Sequence, residues 1–199
     1  MRPTAFAEDE RGAYDQHRLQ QRSLASRQRP RLPVVLFECF SGRTVGDSPL
    51  AIGQELRERH PHLDQVWSVE DRSVLAPEGA RAVLRWSTEW YDLLARAAYL
   101  VSNSNFPPFF EKAGGQVHLQ TWHGTPLKRI GHDILDPTLV SRSYMHTMDA
   151  EAARWDFLIS PSPYCSDIFP RAFGYDGPHA IYAEHAALST FENDGSRDF

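Results

Sequence analysis

The residues best suited to chemistry lie in one octet, Thr121-Trp-His-Gly-Thr-Pro-Leu-Lys128, in which a histidine follows a strand-like stretch. Histidine changes its charge near neutral pH, so His123 could act as a general base toward an alcohol. Gly124 would let the backbone approach a ligand closely, Thr125 offers a hydroxyl group, and Lys128 brings positive charge for phosphate oxygens. The octet therefore suits chemistry at a phosphate group.

Each of these residues also has an ordinary structural interpretation. A lone histidine at the end of a strand is more often a hydrogen-bonded structural residue than a catalyst, and Lys128 could be a surface lysine near a helix start. Only the combination of these residues in one octet points specifically to phosphate chemistry. An unrelated phosphohydrolase that used His123 would need a metal cluster or a covalent nucleophile beside it, and sequence order alone cannot place one.

Alternating strand and helix patterns surround the octet. Residues 32–40 form an apolar run typical of a buried parallel strand, and Asp47-Ser48-Pro49 supplies a cap and a proline for the following helix. Further strands are expected at residues 64–69, 82–86, 98–101, 116–122 and 155–160, and further helices begin near residues 87, 138 and 162. The pattern predicts an α/β fold with a Rossmann-like, mostly parallel sheet.

Polar loops follow three of the expected strands, at residues 38–47, 102–105 and 123–133. In open parallel sheets, ligands bind beyond the carboxyl ends of the strands. We therefore expect these three loops to meet at one edge of the sheet and to form the binding site there.

Composition limits the functions that are open to the chain. Its 199 residues, 41% of them hydrophobic, suffice for one ordinary domain with a core, and the net charge of −5 gives no reason to expect nucleic-acid binding. The two cysteines, Cys39 and Cys165, are expected to be buried thiols. No stretch has the length and apolarity of a signal or a membrane span, so we expect a cytoplasmic protein with at most peripheral membrane contact.

The chain divides into three parts by composition. Residues 1–32 form a polar, basic arm that is expected to be flexible or weakly helical, and residues 33–178 form the Rossmann-like domain. Residues 179–199 form a divergent tail. The arm could touch anionic lipid at the inner membrane face or could be a solvated leader, and it has no apolar anchor beside it.

The octet is similar to the signature of the CDP-glycerol and CDP-ribitol polymer transferases of Gram-positive cell walls. Four more stretches resemble that family in the right order, within about residues 34–175: Phe37-Glu-Cys-Phe-Ser-Gly-Arg43 with Asp47-Ser-Pro49, Ala98-Tyr-Leu-Val-Ser-Asn103, Gly131-His-Asp133, and Trp155-Asp-Phe-Leu-Ile-Ser-Pro-Ser162. At the position of Cys39, a serine is more common in that family.

The resemblance implies a CDP-glycerol glycerophosphotransferase and the acceptor-side, N-terminal half of a GT-B fold. His123 would deprotonate a terminal glycerol hydroxyl, which attacks the β-phosphate of the donor substrate CDP-glycerol and expels CMP. No cofactor and no metal are expected. The acceptor would be a teichoic-acid-like glycerophosphate polymer or a lipid-linked primer.

The resemblance also implies a set of acceptor- or phosphate-binding residues: Gly124, Thr125, Lys128, Asp133, Glu38, Gly42, Asp47 and Asn103. Asp133 could instead orient His123 or cap a helix, and Glu38 and Asp47 could likewise be simple caps. Sequence order does not decide between these roles.

The match to the family ends after Phe173-Gly-Tyr175, where relatives continue into a second, donor-binding half. We expect the chain by itself to lack normal transferase turnover. The alternative is a noncatalytic module or partner subunit that binds the acceptor polymer through the same loops.

Overall fold

Within the described residues, one sheet of seven parallel strands forms the centre of the fold. The structure is a computed structural model that describes residues 12–136, 138 and 141–177, and the backbone of residues 179–181. The strands are β1 (Leu32–Glu38), β2 (Asp64–Val69), β3 (Arg81–Leu84), β4 (Ala97–Ser102), β5 (Val117–Gln120), β6 (Phe157–Ser160) and β7 (His179–Ile181). Their spatial order is β3-β2-β1-β4-β5-β6-β7, which confirms the Rossmann-like prediction.

One helix of the described residues precedes β1, and the others connect the strands. They are α1 (Ala13–Ser26), α2 (Asp47–Arg59), α3 (Thr88–Arg96), α4 (Arg142–Ala152) and α5 (Pro163–Phe173), with short 3₁₀ helices at Phe40–Gly42 and Gly131–Asp133. Serine side chains cap three of them, because Ser87, Ser141 and Ser162 each accept a hydrogen bond from the backbone N–H three residues on. None of the helices in the described part of the chain is long and apolar enough to cross a membrane.

The alternation of side chains along β1 builds a core on each face of the sheet. Val34 and Leu36 pack on the α3 side in a cluster that includes Leu94. Val35 and Phe37 face α2, where the Phe37 ring stacks on Trp67 with centroids 4.6 Å apart. Both faces of β1 are therefore buried, which explains its unbroken apolar sequence.

The basic arm is more ordered than its sequence suggested. Its helix α1 packs on α3, where Leu19 is buried and the Ser23 hydroxyl donates to the Tyr91 carbonyl at 2.9 Å. The Tyr91 hydroxyl in turn donates to Gln16 Oε1 at 2.9 Å. Gln16 Nε2 also donates to the Trp86 carbonyl at 2.9 Å. One buried apolar side chain and these polar contacts thus attach a helix that has little apolar patterning. The part of the predicted arm at residues 1–11 lies outside the described residues.

The sheet also continues past the expected boundary at residue 178. Residues 179–181 pair with β6 as β7, so they belong to the sheet and not to a separate tail. Residues 182–199 of the predicted tail lie outside the described residues.

Candidate active site

The sheet changes direction between β1 and β4. From β1 the chain leads to β2 on one side, whereas from β4 it leads to β5 on the other, so the loops that follow these neighbouring strands diverge. Ligands of doubly wound sheets bind in the crevice at this switch point, outside the carboxyl ends of the strands. The β1 loop (residues 39–46) and the β4 loop, which begins at Asn103, form this crevice.

His123 lies in the loop after β5 and is exposed to solvent. Its ring stacks on Trp122 with centroids 4.3 Å apart and planes 25° apart, and it lies 5.7 Å from the Phe40 ring of the β1 loop. Trp122 has a positive φ of 57° and packs on Phe173 of α5 at 4.5 Å. The exposed imidazole therefore rests on a side chain that is fixed to the core.

The hydrogen bond of His123 defines its tautomer. Nδ1 lies 2.5 Å from the main-chain oxygen of Asn103, and a carbonyl oxygen can only accept. Nδ1 must therefore carry a hydrogen, which leaves Nε2 of the neutral ring with a free lone pair. This is the arrangement that a general base requires.

The Asn103 side chain connects the two loops of the crevice. It is buried, its Nδ2 donates to Asp47 Oδ2 at 2.8 Å, and its Oδ1 accepts from the backbone N–H of Phe40 at 2.8 Å. Three residues chosen from the sequence, His123, Asn103 and Asp47, are thus brought into one hydrogen-bonded network.

The β1 loop has an unusual backbone conformation. Phe40, Ser41 and Gly42 have successive positive φ values of 46°, 59° and 85°. The N–H of Ser41 donates to Ser104 Oγ at 3.0 Å, just as that of Phe40 donates to Asn103. Successive backbone N–H groups in a turn can make an anion-binding concavity, but side chains of the β4 loop already satisfy these two donors. This turn therefore holds the two loops together and does not bind phosphate through these donors.

The remaining residues of the octet lie in an exposed loop. Gly124, Thr125 and Lys128 are all exposed, and the hydroxyl of Tyr164 on α5 donates to the Pro126 carbonyl at 3.1 Å. Among the described residues, none forms an ion pair with Lys128. No described carboxylate neutralises its positive charge. A lysine that binds phosphate needs its charge to be available in this way.

Gly42 is positioned for packing. It is buried, its carbonyl accepts from the Glu70 N–H at 2.8 Å, and a Cβ added to it would lie only 2.8 Å from that nitrogen. A side chain would push the β1 loop away from the end of β2. The structure therefore places Gly42 against the sheet and not at the surface of the crevice.

Glu38 is likewise not brought to the crevice. Its side chain is fully buried on the α3 side, where Oε2 accepts from Ser68 Oγ at 2.7 Å and Oε1 lies 3.3 Å from Arg85 Nη2. Burial raises the pKa of this carboxyl, although Arg85 opposes the shift. An acceptor cannot reach it in this conformation, so a direct acceptor contact, one of its two expected roles, does not fit the structure.

Asp133 is bound to α5 and not to His123. Both of its carboxylate oxygens accept from Arg171 Nε, at 3.0 and 2.9 Å. The neighbouring Gly131 has a φ of +54°, and a Cβ there would overlap the Ala172 carbonyl oxygen. The segment thus packs tightly on α5, and the role of orienting His123 belongs to the Asn103 carbonyl instead.

The buried polar residues below the crevice were not identified from the sequence. His118 of β5 is fully buried, with Nε2 2.9 Å from Ser102 Oγ, and burial lowers its pKa to about 3. Gln120 Oε1 accepts from the Trp122 N–H at 2.8 Å and so supports the turn into the octet. The alternation of polar and apolar residues in Val117–Gln120 was the available signal. Among the described residues, no cluster of three or more metal-ligating side chains occurs.

Comparison with known proteins identifies the family. The model of the family described as CDP-Glycerol:Poly(glycerophosphate) glycerophosphotransferase matches residues 21–182. The chain belongs to this family. Within it, the chain is 38% identical over 159 residues to a teichoic acid poly(glycerol phosphate) polymerase of Bacillus subtilis. These aligned residues cover 77% of this chain and 21% of that polymerase. It is 33% identical over 149 residues to a teichoic acid glycerol-phosphate transferase of Staphylococcus aureus, covering 72% and 38% of the two chains.

Solved structures of family members agree with the fold. The wall teichoic acid polymerase TagF superposes with a TM-score of 0.69 and 30% identity, covering 83% of this chain and 46% of that one. The predicted fold, a Rossmann-like half of a GT-B-type structure, is therefore confirmed. The chain spans about a fifth of the Bacillus subtilis polymerase and two fifths of the Staphylococcus aureus transferase.

Proposed function

We propose that the described domain is the acceptor side of a glycerophosphate transfer reaction. His123 Nε2 takes the proton from the terminal hydroxyl of a glycerophosphate polymer or a lipid-linked primer. The resulting oxygen nucleophile bonds to the β-phosphorus of CDP-glycerol, the bond from that phosphorus to the bridging oxygen breaks, and CMP leaves. CDP-glycerol is the donor substrate, and the proposed reaction uses no cofactor.

One observation carries this proposal, the hydrogen bond from His123 Nδ1 to the Asn103 carbonyl. It leaves Nε2 as an acceptor on an exposed ring at the switch point of the sheet, where ligands of such folds bind. Names of the relatives, which are teichoic acid polymerases and transferases, support the same substrate class.

Exposed groups of the octet supply the phosphate chemistry in this proposal. Charge develops on the phosphoryl oxygens during transfer, and such reactions depend mainly on alignment and on nearby cations. Lys128, five residues after His123, offers a charge that is not paired with any described carboxylate. Gly124 and Thr125 are exposed beside it and can contact the polymer or its phosphate groups.

We also propose that the protein acts in the cytoplasm, with peripheral contact at the inner membrane face. The support is the basic sequence of α1 and the residues after it, where Arg18 and Arg22 are exposed. Arg18 forms an ion pair with Asp15, and Arg27 and Arg29 form ion pairs with Glu111 and Asp92. These three arginines therefore contribute less to such contact than Arg22 does. Sedimentation with phosphatidylglycerol vesicles at low salt tests this contact, and an Arg18→Gln/Arg22→Gln variant that sediments equally would contradict it.

Two measurements test the transfer proposal. The chain itself is titrated with a glycerophosphate primer, and binding is followed by NMR. For turnover, a chimera of the Bacillus subtilis polymerase is made in which the 159 matching residues are replaced by those of this chain, and incorporation of radiolabelled glycerol phosphate is measured.

We expect the chain to bind primer, the chimera to incorporate label, and His123→Ala to abolish incorporation while primer binding is kept. Primer binding by the chain together with a chimera that His123→Ala leaves fully active would favour a noncatalytic acceptor-binding module. Failure of the chain to bind primer at all would contradict both functions.

A further inference from the structure

Asn103 is the most connected side chain of the crevice. Its amide joins three points of the β1 region, namely the Phe40 N–H at 2.8 Å, the Asp47 carboxylate at 2.8 Å and the Cys39 sulfur at 3.3 Å. Its main-chain N–H donates across to the Glu38 carbonyl of the neighbouring strand β1 at 3.4 Å. These contacts use every hydrogen-bonding group of the residue except its main-chain oxygen, which accepts from His123.

The Asp47 carboxylate determines how this amide is oriented. A carboxylate can only accept, so the amide nitrogen of Asn103 must face Asp47 and the amide oxygen must face the Phe40 N–H. Asp47 is exposed and has a positive φ of 55°, an uncommon conformation for a residue with a side chain. A strained residue at a functional site is consistent with a positioning role.

We propose that Asn103 and Asp47 are positioning residues that fix His123 as a base. Asp47 orients the Asn103 amide, the oriented amide anchors the β4 loop to the β1 loop, and the anchored carbonyl of Asn103 holds the Nδ1 hydrogen of His123. The inference rests on the proposed function of His123. It replaces the expectation from the sequence that Asn103 contacts the acceptor, because the Asn103 side chain is buried and its hydrogen-bonding groups are occupied.

The distinction has kinetic and spectroscopic consequences. A residue that contacts the acceptor would change KM and leave the tautomer of His123 alone. A positioning residue would lower kcat, because a misplaced base reacts slowly even with bound substrate, and it would also alter the tautomer. The ring nitrogens of histidine report the tautomer directly in ¹⁵N NMR, without any turnover.

The test uses the chain itself for NMR and the chimera for kinetics. The variants are Asn103→Ala, Asp47→Ala and Asp47→Asn, with Asp64→Ala as the matched control, because Asp64 is an exposed carboxylate at the opposite end of β2. Signals that vanish in His123→Asn assign the ring. Asp47→Asn keeps an oxygen that can accept from the Asn103 amide.

We expect wild type, Asp64→Ala and Asp47→Asn to show the single tautomer with hydrogen on Nδ1. Asn103→Ala and Asp47→Ala should show a mixture of tautomers and a kcat about 10-fold lower, with KM within about 3-fold of wild type. The inference is overturned if both alanine variants keep the single tautomer, or if they raise KM at unchanged kcat.

The outcome is decisive even if one part fails. Should Asn103→Ala not fold by circular dichroism, the exposed Asp47→Ala decides. Should the wild-type chimera be inactive, the proposed function loses its support, yet the tautomers of the chain still confirm or overturn the positioning network.

Discussion

Two histidines five residues apart have opposite surroundings in this domain. His118 in β5 is fully buried between the Phe106 and Phe110 rings, at centroid distances of 5.2 and 6.4 Å, and burial lowers its pKa to about 3. His123 is exposed, stacks on Trp122 and donates from Nδ1 to a carbonyl. The same residue type therefore serves the core in one place and is our proposed general base in the other.

The difference arises where the strand ends. Side chains alternate along β5, so His118 and Gln120 share a face, and His118 packs on the α3 side of the sheet against Phe106 and Phe110. Trp122 then adopts a φ of +57°, which ends the extended backbone and brings the following residue out to the crevice. Burial, and not proximity in sequence, decides which histidine can exchange protons with a substrate.

Removing His123 should affect turnover and leave stability almost unchanged. We expect His123→Ala in the chimera to lower incorporation of label by about 100- to 10,000-fold, the usual contribution of a general base. The free energy of unfolding of the chain should fall by about 1 kcal/mol or less, because the ring is exposed and loses mainly its stacking on Trp122. Radiolabel incorporation and urea denaturation measure the two effects. A loss of less than 10-fold would contradict the role of His123.

Removing His118 should have the opposite effect. His118→Ala leaves a cavity between two aromatic rings and removes a partner of Ser102, so the free energy of unfolding should fall by about 3 kcal/mol. Urea denaturation of the chain measures this loss. The matched control is His62→Ala, since His62 is exposed and should cost no more than about 0.5 kcal/mol. Equal losses in the two variants would mean that burial does not separate these histidines.

The sequence predicted six of the seven described strands and placed His123 just after one of them, but it did not predict the surroundings of the acidic residues. Apolar runs and capping serines reflect local physics, so β2 and the starts of α2, α3 and α5 fall within a residue or two of their expected positions. Glu38 looked like a loop carboxylate, but its pairing with Arg85 depends on β3 and α3 packing around it. The carbonyl that holds His123 carries no side-chain signature at all, so only the structure reveals it.

The pH dependence of stability should reveal His118 directly. The unfolded chain protonates this histidine below its ordinary pKa of about 6.5, whereas the folded chain does so only near 3. The unfolded state thus binds more protons between these values, so stability is lost as pH falls. Relative to His118→Phe, wild type should lose about 1.6 kcal/mol between pH 6.5 and 5, because the slope reaches about 1.4 kcal/mol per pH unit only below the unfolded pKa. Urea denaturation at both pH values measures the difference. An equal loss of stability in wild type and His118→Phe would show that the folded chain does not lower the pKa of His118.

Glu151 should partly mask that loss in the wild-type chain. It is almost fully buried beside Arg154, with their charged atoms 2.5 Å apart, and burial raises its pKa to about 7. A raised carboxyl pKa gives stability that is complete below the unfolded value of about 4.5 and is lost as pH rises through 7, opposite in sign to His118. Glu151→Gln should therefore increase the acid loss between pH 7 and 5 by about 1 kcal/mol in urea denaturation. Glu58→Gln, at an exposed position of α2, should leave the pH dependence of the free energy of unfolding unchanged. A smaller acid loss in Glu151→Gln than in wild type would show that Arg154 outweighs burial in setting the pKa of Glu151.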